Sequence, residues 1–386
     1  MKHHNSVFHH LLKVIPRHQF QKVVDRHNGD HRIRKLSCWT QLVAMMFAQL
    51  ASRVSIRDLV ENFNDCHRHH YHLGVSRIKR SSLSDANSHR TASIFSETFF
   101  FLLQKVRSHL PRGAASDMVR LIDSTTIDLN VNQFEWAHFR KTKGGIKLHT
   151  VYDPEANTPT FFELTTAKVN DRKAAQNLPI MAGATYVFDR AYDDYGWYYE
   201  MTSQGTLFVG RMKTSAVYKV IETRETTENF VLEDQVIRLS SDKGRRDCPT
   251  NLRRVKIRRE EDGKELVFIS NDLKRTAVEI ADLYKSRWQI ELFFKWIKQN
   301  LKIKRFIGRS ENAVKIQVLT AMIAYLLLRL AQITTHCPLS LQQIARKISL
   351  NLASRRSLLE LFFSDPPEKS EDSLLQNQGL LELGYA

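Results

Sequence analysis

The sequence predicts an α/β protein: a mixed sheet with helices on its faces, interrupted by a β-rich insertion and preceded by an α-helical region. Three observations carry this. Up to about residue 110, apolar residues recur at helical spacing. From residue 118, short runs of alternating apolar and polar residues follow one another across turn-like breaks, with brief helical pieces between them. After residue 270, helical periodicity returns. A chain of 386 residues has room for two or three domains, and its 42% hydrophobic content is enough for packed cores.

Taken in order, residues 1–115 read as a helical DNA-binding region. Ser37 can cap the run CWTQLVAMMFAQLAS, and SIRDLVENF and SIFSETFFFLLQKV have the same periodicity. This region holds 18 Lys+Arg against 7 Asp+Glu, a net of +11, within a whole-chain net charge of +17. Such an excess points to a polyanionic partner, nucleic acid before an acidic membrane. Between SIRDLVENF and SIFSETFFFLLQKV, RIKRSSLSDANSHR mixes cations, hydroxyls and amides, the groups that contact phosphates and base edges. Lys79, Arg80, Ser81, Ser82, Asn87 and Arg90 are the candidate contacts; a solvated loop with a helix cap at Ser84 is the plainer alternative.

Residues 116–215 form the first part of the expected core. MVRLIDSTTIDLNV, GGIKLHTVYD and TPTFFELTTAK suggest a three-strand meander, DRKAAQNLP a short helix, and ATYVFDRAYDD and TLFVGRMK two further strands. Residues 216–270 are strand-like throughout, with Gly244 and Asp262-Gly263 at turns, and read as an insertion. Residues 271–352 return to helices, and 353–386 read as an acidic, flexible tail after Pro366-Pro367.

Several classes are set aside. Cys38, Cys66, Cys248 and Cys337 lie far apart without a CxxC pair, which argues against a disulfide framework or zinc ribbon and fits a reducing cytoplasm. CHRHHYH matches no closed tetrahedral zinc spacing. The N-terminus lacks the apolar run of a signal peptide. The most apolar window, around Ala321–Leu330, contains Arg329 and reads as a buried helix rather than a membrane span. The run Phe99–Phe101 reads as core packing, as do Trp288 and Trp296, with base stacking open for one of the two tryptophans.

The chemistry sits on three acids. Asp123 ends the apolar pair Leu121-Ile122, and Asp189 ends Tyr186-Val187-Phe188. A carboxylate at the end of a buried strand is costly unless paired or bound to a cation, and Mg²⁺ or Mn²⁺ prefers such hard oxygen ligands. Two strand-end acids facing solvent remain an alternative at this point. The helical run YKSRWQIELFFKWIK adds Glu291. At about 100° per residue, Tyr284, Arg287 and Lys298 fall within roughly 40° of Glu291 on one face. Leu283, Ile290, Phe294, Ile297 and Leu301 form an apolar stripe beside it. A surface i, i+4 ion pair would explain Arg287 and Glu291, but not the other two.

The spacing Tyr284-x2-Arg287-x3-Glu291-x6-Lys298 resembles the YREK signature of the Insertion Sequence 4 family of DDE-superfamily transposases. IDSTT at 122–126 and FDRAY at 188–192 resemble its two aspartate motifs, with Ala191 where glycine is common. GGIKLH, FVGRMK and KRSSLSDANSHR also resemble family words, so the likeness runs from about residue 5 to residue 350. It implies an RNase H-like five-stranded mixed core with a β-rich insertion between the second Asp and the Glu. It also implies a catalytic set of Asp123, Asp189 and Glu291 holding two Mg²⁺ or Mn²⁺ ions. Tyr284, Arg287 and Lys298 would hold DNA phosphates, with Lys147, His149 and Arg190 assisting. The expected partners are terminal inverted repeats and target DNA, bound by a homodimer in a synaptic complex, in the cytoplasm at the nucleoid. A hydrolytic nuclease or resolvase on the same core, and an end-binding protein without activity, are the alternatives.

Overall fold

The computed structural model describes residues 5–52, 55–110, 118–140, 143–301, 303 and 305–363. The chain forms two compact units, one from residues up to His109 together with those from Leu319 onward, the other spanning Leu110–Val318.

In the second unit, the expected meander is present. Strands β1 (Val119–Leu129), β3 (Lys143–Asp153) and β4 (Thr158–Thr166) pair antiparallel, with the short β2 (His138–Arg140) against the start of β3. Strand β5 (Thr185–Phe188) then runs parallel to β1, and β6 (Leu207–Arg211) parallel to β5. The order β4-β3-β1-β5-β6, three antiparallel strands followed by two parallel ones, is the RNase H-like arrangement. The helix Tyr195–Ser203 makes the crossover that the parallel pair requires.

The β-rich segment adds β7 (Tyr218–Thr223), β8 (Val231–Leu239), β9 (Leu252–Arg258) and β10 (Glu265–Ser270), an antiparallel series. It is not a separate body. Strand β10 pairs with β6, so the core sheet continues into the insertion and reaches ten strands. Ile237, Leu239, Cys248 and Leu252 of the insertion share one apolar cluster with Ile122, Phe188 and Phe208 of the core. Gly244, expected at a turn, lies in the helix Asp242–Asp247 capped by Ser241. Gly263 does sit in a turn, at φ +67°, where an L side chain is strained.

In the first unit, Ser37 caps Cys38–Leu50, all of whose residues are buried. Most of RIKRSSLSDANSHR is a helix, Arg80–His89, which excludes the alternative of a solvated loop, and Lys79 rather than Ser84 is the N-cap. Phe99 is buried, but Phe100 is 38% exposed, so only part of that aromatic run packs inward. The C-terminal helices, expected with the core, join this unit instead: Leu341–Asn351 packs on the helices Val7–Leu12 and Cys38–Leu50. The amides of Val7 and Phe8 donate to the carbonyls of Ser354 and Leu352. Order continues past residue 353 into the helix Leu358–Phe362, where Leu361 and Phe362 are buried; the rest of the expected tail lies outside the described residues. Glu311–Thr334 is 24 residues long and apolar enough to cross a membrane, but 83% of its apolar stretch is buried within the protein, as a core helix is.

Candidate active site

Parallel pairing sets the first two acids side by side. Ile122 is in register with Phe188 at the last rung of this pairing, so Asp123, mid-strand in β1 and paired with Thr150 of β3, stands level with Asp189, which follows the end of β5; Asp123 is thus not the strand-end acid that the sequence suggests. Phe188 is wedged into an aromatic cluster, with Tyr198 at 5.9 Å and Phe208 at 5.8 Å between ring centroids. Each such pair adds about 0.5–1.5 kcal/mol beyond burial, which holds the end of β5 in place. Asp189 then caps the turn Arg190–Tyr192 by accepting from the Ala191 amide at 2.8 Å. Ala191 is not among the positive-φ residues, so alanine serves where related motifs carry glycine.

The third acid comes from two abutting helices, Ala277–Ser286 and Trp288–Asn300, joined through Arg287. Arg287 keeps helical dihedrals (φ −53°, ψ −29°), so the polar face continues across the junction. Thr276 and Glu279 form a capping box at the start, and Ile290, Phe294, Ile297 and Leu301 bury the stripe beside Glu291. Leu283 is only half-buried. Glu291 lies in the first turn of its helix, where the positive end of the dipole favours a carboxylate.

Arg287 is the hub. Its Nη1 donates to Asp123 Oδ2 at 3.1 Å and its Nη2 to Glu291 Oε1 at 2.5 Å. Its guanidinium lies 5.6 Å from the ring centroid of Tyr284, which packs on Phe268 at 4.7 Å. Lys298 Nζ donates to the Thr126 carbonyl of β1 at 2.8 Å. Burial drives the Asp123 carboxyl up to about 7, with Asp189 and Glu291 adding to the rise and the Ser124 amide and Arg287 opposing it. An acid in that state gains from any cation that arrives.

The donor set suits a hard divalent ion in kind: three carboxylates, two of which already converge on a cationic group. In their present rotamers Asp123 and Glu291 flank Arg287. Among the described residues, no three acid, imidazole or thiol side chains stand at the spacing of a single ion's shell.

The remaining candidates divide. Arg190 is exposed beside Asp189. Arg211, which motif reading does not single out, ends β6 near Arg190, Arg287 and Tyr284; burial first, then its guanidinium neighbours, lower its pKa. Its buried Nε has no hydrogen-bond partner. Clustered cations of this kind suit an anion. Lys147 is held by Asp171, and His149 is fully buried, so neither extends toward a ligand. In the helical unit, Lys79, Arg80 and Ser81 are exposed and Ser82 is half-exposed. Asn87 and Arg90 are turned inward: Asn87 accepts from Gln41, and Arg90 donates to Gln41 and to the Leu36 carbonyl. They brace the helix rather than offer contacts. Trp288, expected in the core, is 57% exposed because it lies on the opposite side of Glu291 from the apolar stripe; Trp296 is half-buried.

Comparison with known proteins identifies a family. The profile of the transposase DDE domain matches residues 114–327, and that of a domain of unknown function (DUF4372) matches residues 3–76. The chain is 42% identical over 254 residues to a putative transposase, y4zB, of Sinorhizobium fredii, covering 64% of this chain and 70% of the relative. It is 34% identical over 261 residues to a probable transposase for insertion sequence element IS5377 of Geobacillus stearothermophilus, covering 66% and 68%. A putative transposase for element IS4SA of Synechocystis matches at 25% identity, over 72% of this chain and 77% of the relative. A piggyBac transposase synaptic complex with hairpin DNA aligns over 96% of this chain and 84% of its own at 10% identity; its TM-score of 0.48 is too low to bear on the fold.

Proposed function

Because this chain belongs to the DDE transposase family and is a DNA transposase of the insertion-sequence kind, we propose that Asp123, Asp189 and Glu291 are its catalytic carboxylates. In this reading, the protein cleaves the 3′ ends of its element and joins them to target DNA. The family generally uses divalent metal ions. Two Mg²⁺ or Mn²⁺ ions held by these three acids would supply charge neutralisation at the attacking and leaving oxygens. The protein's remaining task is positioning, since phosphoryl transfer asks little else of side chains. Tyr284, Arg287 and Lys298, with Arg211 and Arg190 beside them, hold phosphates near the element's end; a guanidinium fork matches a phosphate and an ammonium supplies a point charge. Hydrolysis of one phosphodiester frees a 3′-hydroxyl. That hydroxyl then displaces the 3′-oxygen of a target phosphodiester in line, one P–O bond forming as the other breaks. Lys79, Arg80, Ser81 and Ser82 of the helical unit make further contacts with terminal repeats, and two copies of the chain synapse two ends.

The observation that carries this reading is the convergence of Asp123, Arg287 and Glu291 beside the last rung of the parallel β1–β5 pairing. The test is purified protein with its terminal repeats and Mg²⁺ or Mn²⁺, assayed for 3′-end nicking and for strand transfer. Asp123→Ala, Asp189→Ala and Glu291→Ala are each expected to abolish both products. Full activity in any of the three removes that residue from the set, and nicking without joined products points to a hydrolytic nuclease.

A further inference from the structure

A fourth carboxylate stands beside the three. Asp171 opens the short helix Asp171–Ala175, which is capped by Asn170. Its Oδ1 accepts the Ser124 hydroxyl at 2.5 Å, and Lys147 Nζ reaches its two oxygens at 3.3 and 3.2 Å. His149 Nδ1 lies 3.4 Å from Oδ1, while His149 Nε2 bonds the Thr165 hydroxyl at 3.0 Å. Strand register prepares this cluster: His149 is the cross-strand partner of Ser124, and Lys147 that of Thr126. One network thus ties β1, β3, β4 and the helix together. Burial works to raise the Asp171 pKa, but His149, Ser124 and Lys147 together hold it well below the usual carboxylate range. Asp171 is therefore an anion whose charge is already compensated.

Ser124 links this network to the catalytic centre. It gives its hydroxyl to Asp171 and its amide to Asp123 Oδ1, the latter at 2.8 Å. We infer that Asp171 is a positioning residue: through Ser124 it fixes the direction in which Asp123 presents its carboxylate to a divalent cation, while Lys147 keeps Asp171 from competing for that cation. The inference rests on the reading of Asp123 as a metal ligand. Partners one step behind a ligand typically contribute 10–100-fold to metal affinity. An ion pair that served stability alone would change melting and leave cation affinity untouched.

The full chain, titrated with Mn²⁺ alone and followed by electron paramagnetic resonance of the free ion, separates these roles when thermal melts are recorded in parallel. Asp171→Ala is expected to melt cooperatively and to raise the Mn²⁺ Kd by about 10–100-fold. Asp171→Glu should recover part of the loss, and Ser124→Ala should fall between wild type and Asp171→Ala. Wild-type Mn²⁺ affinity in folded Asp171→Ala and Ser124→Ala overturns the inference. Should Asp171→Ala fail to fold, Ser124→Ala decides: weakened binding supports the role, and unchanged binding refutes it. Asp123→Ala keeps the two levels apart. If it leaves Mn²⁺ binding intact, the assignment of Asp123 as a ligand falls and this inference with it. If it abolishes binding while Asp171→Ala and Ser124→Ala do not weaken it, only the role of Asp171 is refuted.

Discussion

Gly210 shows how one missing side chain makes room for the strand that leads into Asp189. A Cβ at this position in β6 would meet Phe188 Cε2 at 2.7 Å, closer than real carbon contacts allow. Phe188 is the residue before Asp189, so pushing its ring disturbs the acid that follows. Overpacking of a filled core costs about 1–3 kcal/mol, and Gly210→Ala is expected to lower the urea midpoint by that equivalent while reducing 3′-end cleavage. Unchanged stability would mean that the ring moves aside freely. Burial decides the other residue-scale questions as well. Asn87 and Arg90 have the chemistry of DNA contacts, yet Gln41 and the Leu36 carbonyl use their hydrogen-bonding groups inside the helical unit. An amide or guanidinium braces a fold or meets DNA according to the side of the helix it occupies, and the segment around Asn87 is too polar to mark that side in advance.

At the scale of elements, the insertion is held by more than apolar packing. Arg253 on β9 grips Asp234 on β8 through two bonds, Nε to Oδ1 at 2.8 Å and Nη2 to Oδ2 at 2.6 Å, and also donates to the Arg275 carbonyl. The side chains are 2% and 6% exposed, so removing one partner strands a buried charge. Arg253→Met is expected to cost about 3–5 kcal/mol, and Arg253→Met with Asp234→Leu to recover most of it, because an apolar pair leaves no unmatched ion. Denaturant midpoints of the two variants check this; equal losses in both would show that shape rather than charge holds β8 to β9. The Tyr284–Lys298 face is the element where pattern and structure agree most closely, since helical pitch alone puts these side chains on one line. Its contacts with Asp123 and Thr126 come from chain segments more than 160 residues away in sequence.

Over the whole molecule, the net charge of +17 makes DNA affinity a matter of released counterions. Binding to duplex of arbitrary sequence is expected to weaken steeply with salt, by about 10³-fold or more between 50 and 200 mM if six or more phosphates are engaged. Fluorescence anisotropy across a salt series measures the slope, and a flat response would remove electrostatics as the source of affinity. The sequence by itself determined the order and type of nearly every strand and helix of the core and the shared helix face of Tyr284, Arg287, Glu291 and Lys298. Periodicity, caps and spacing are local, so they survive in one dimension. Only the tertiary structure decided that the insertion extends the core sheet through β10 and β6, that the C-terminal helices close the N-terminal unit, and that Asp171 stands one residue behind Asp123. Each of these depends on which distant segments share a hydrogen bond or a buried surface, and local pattern carries no record of that choice.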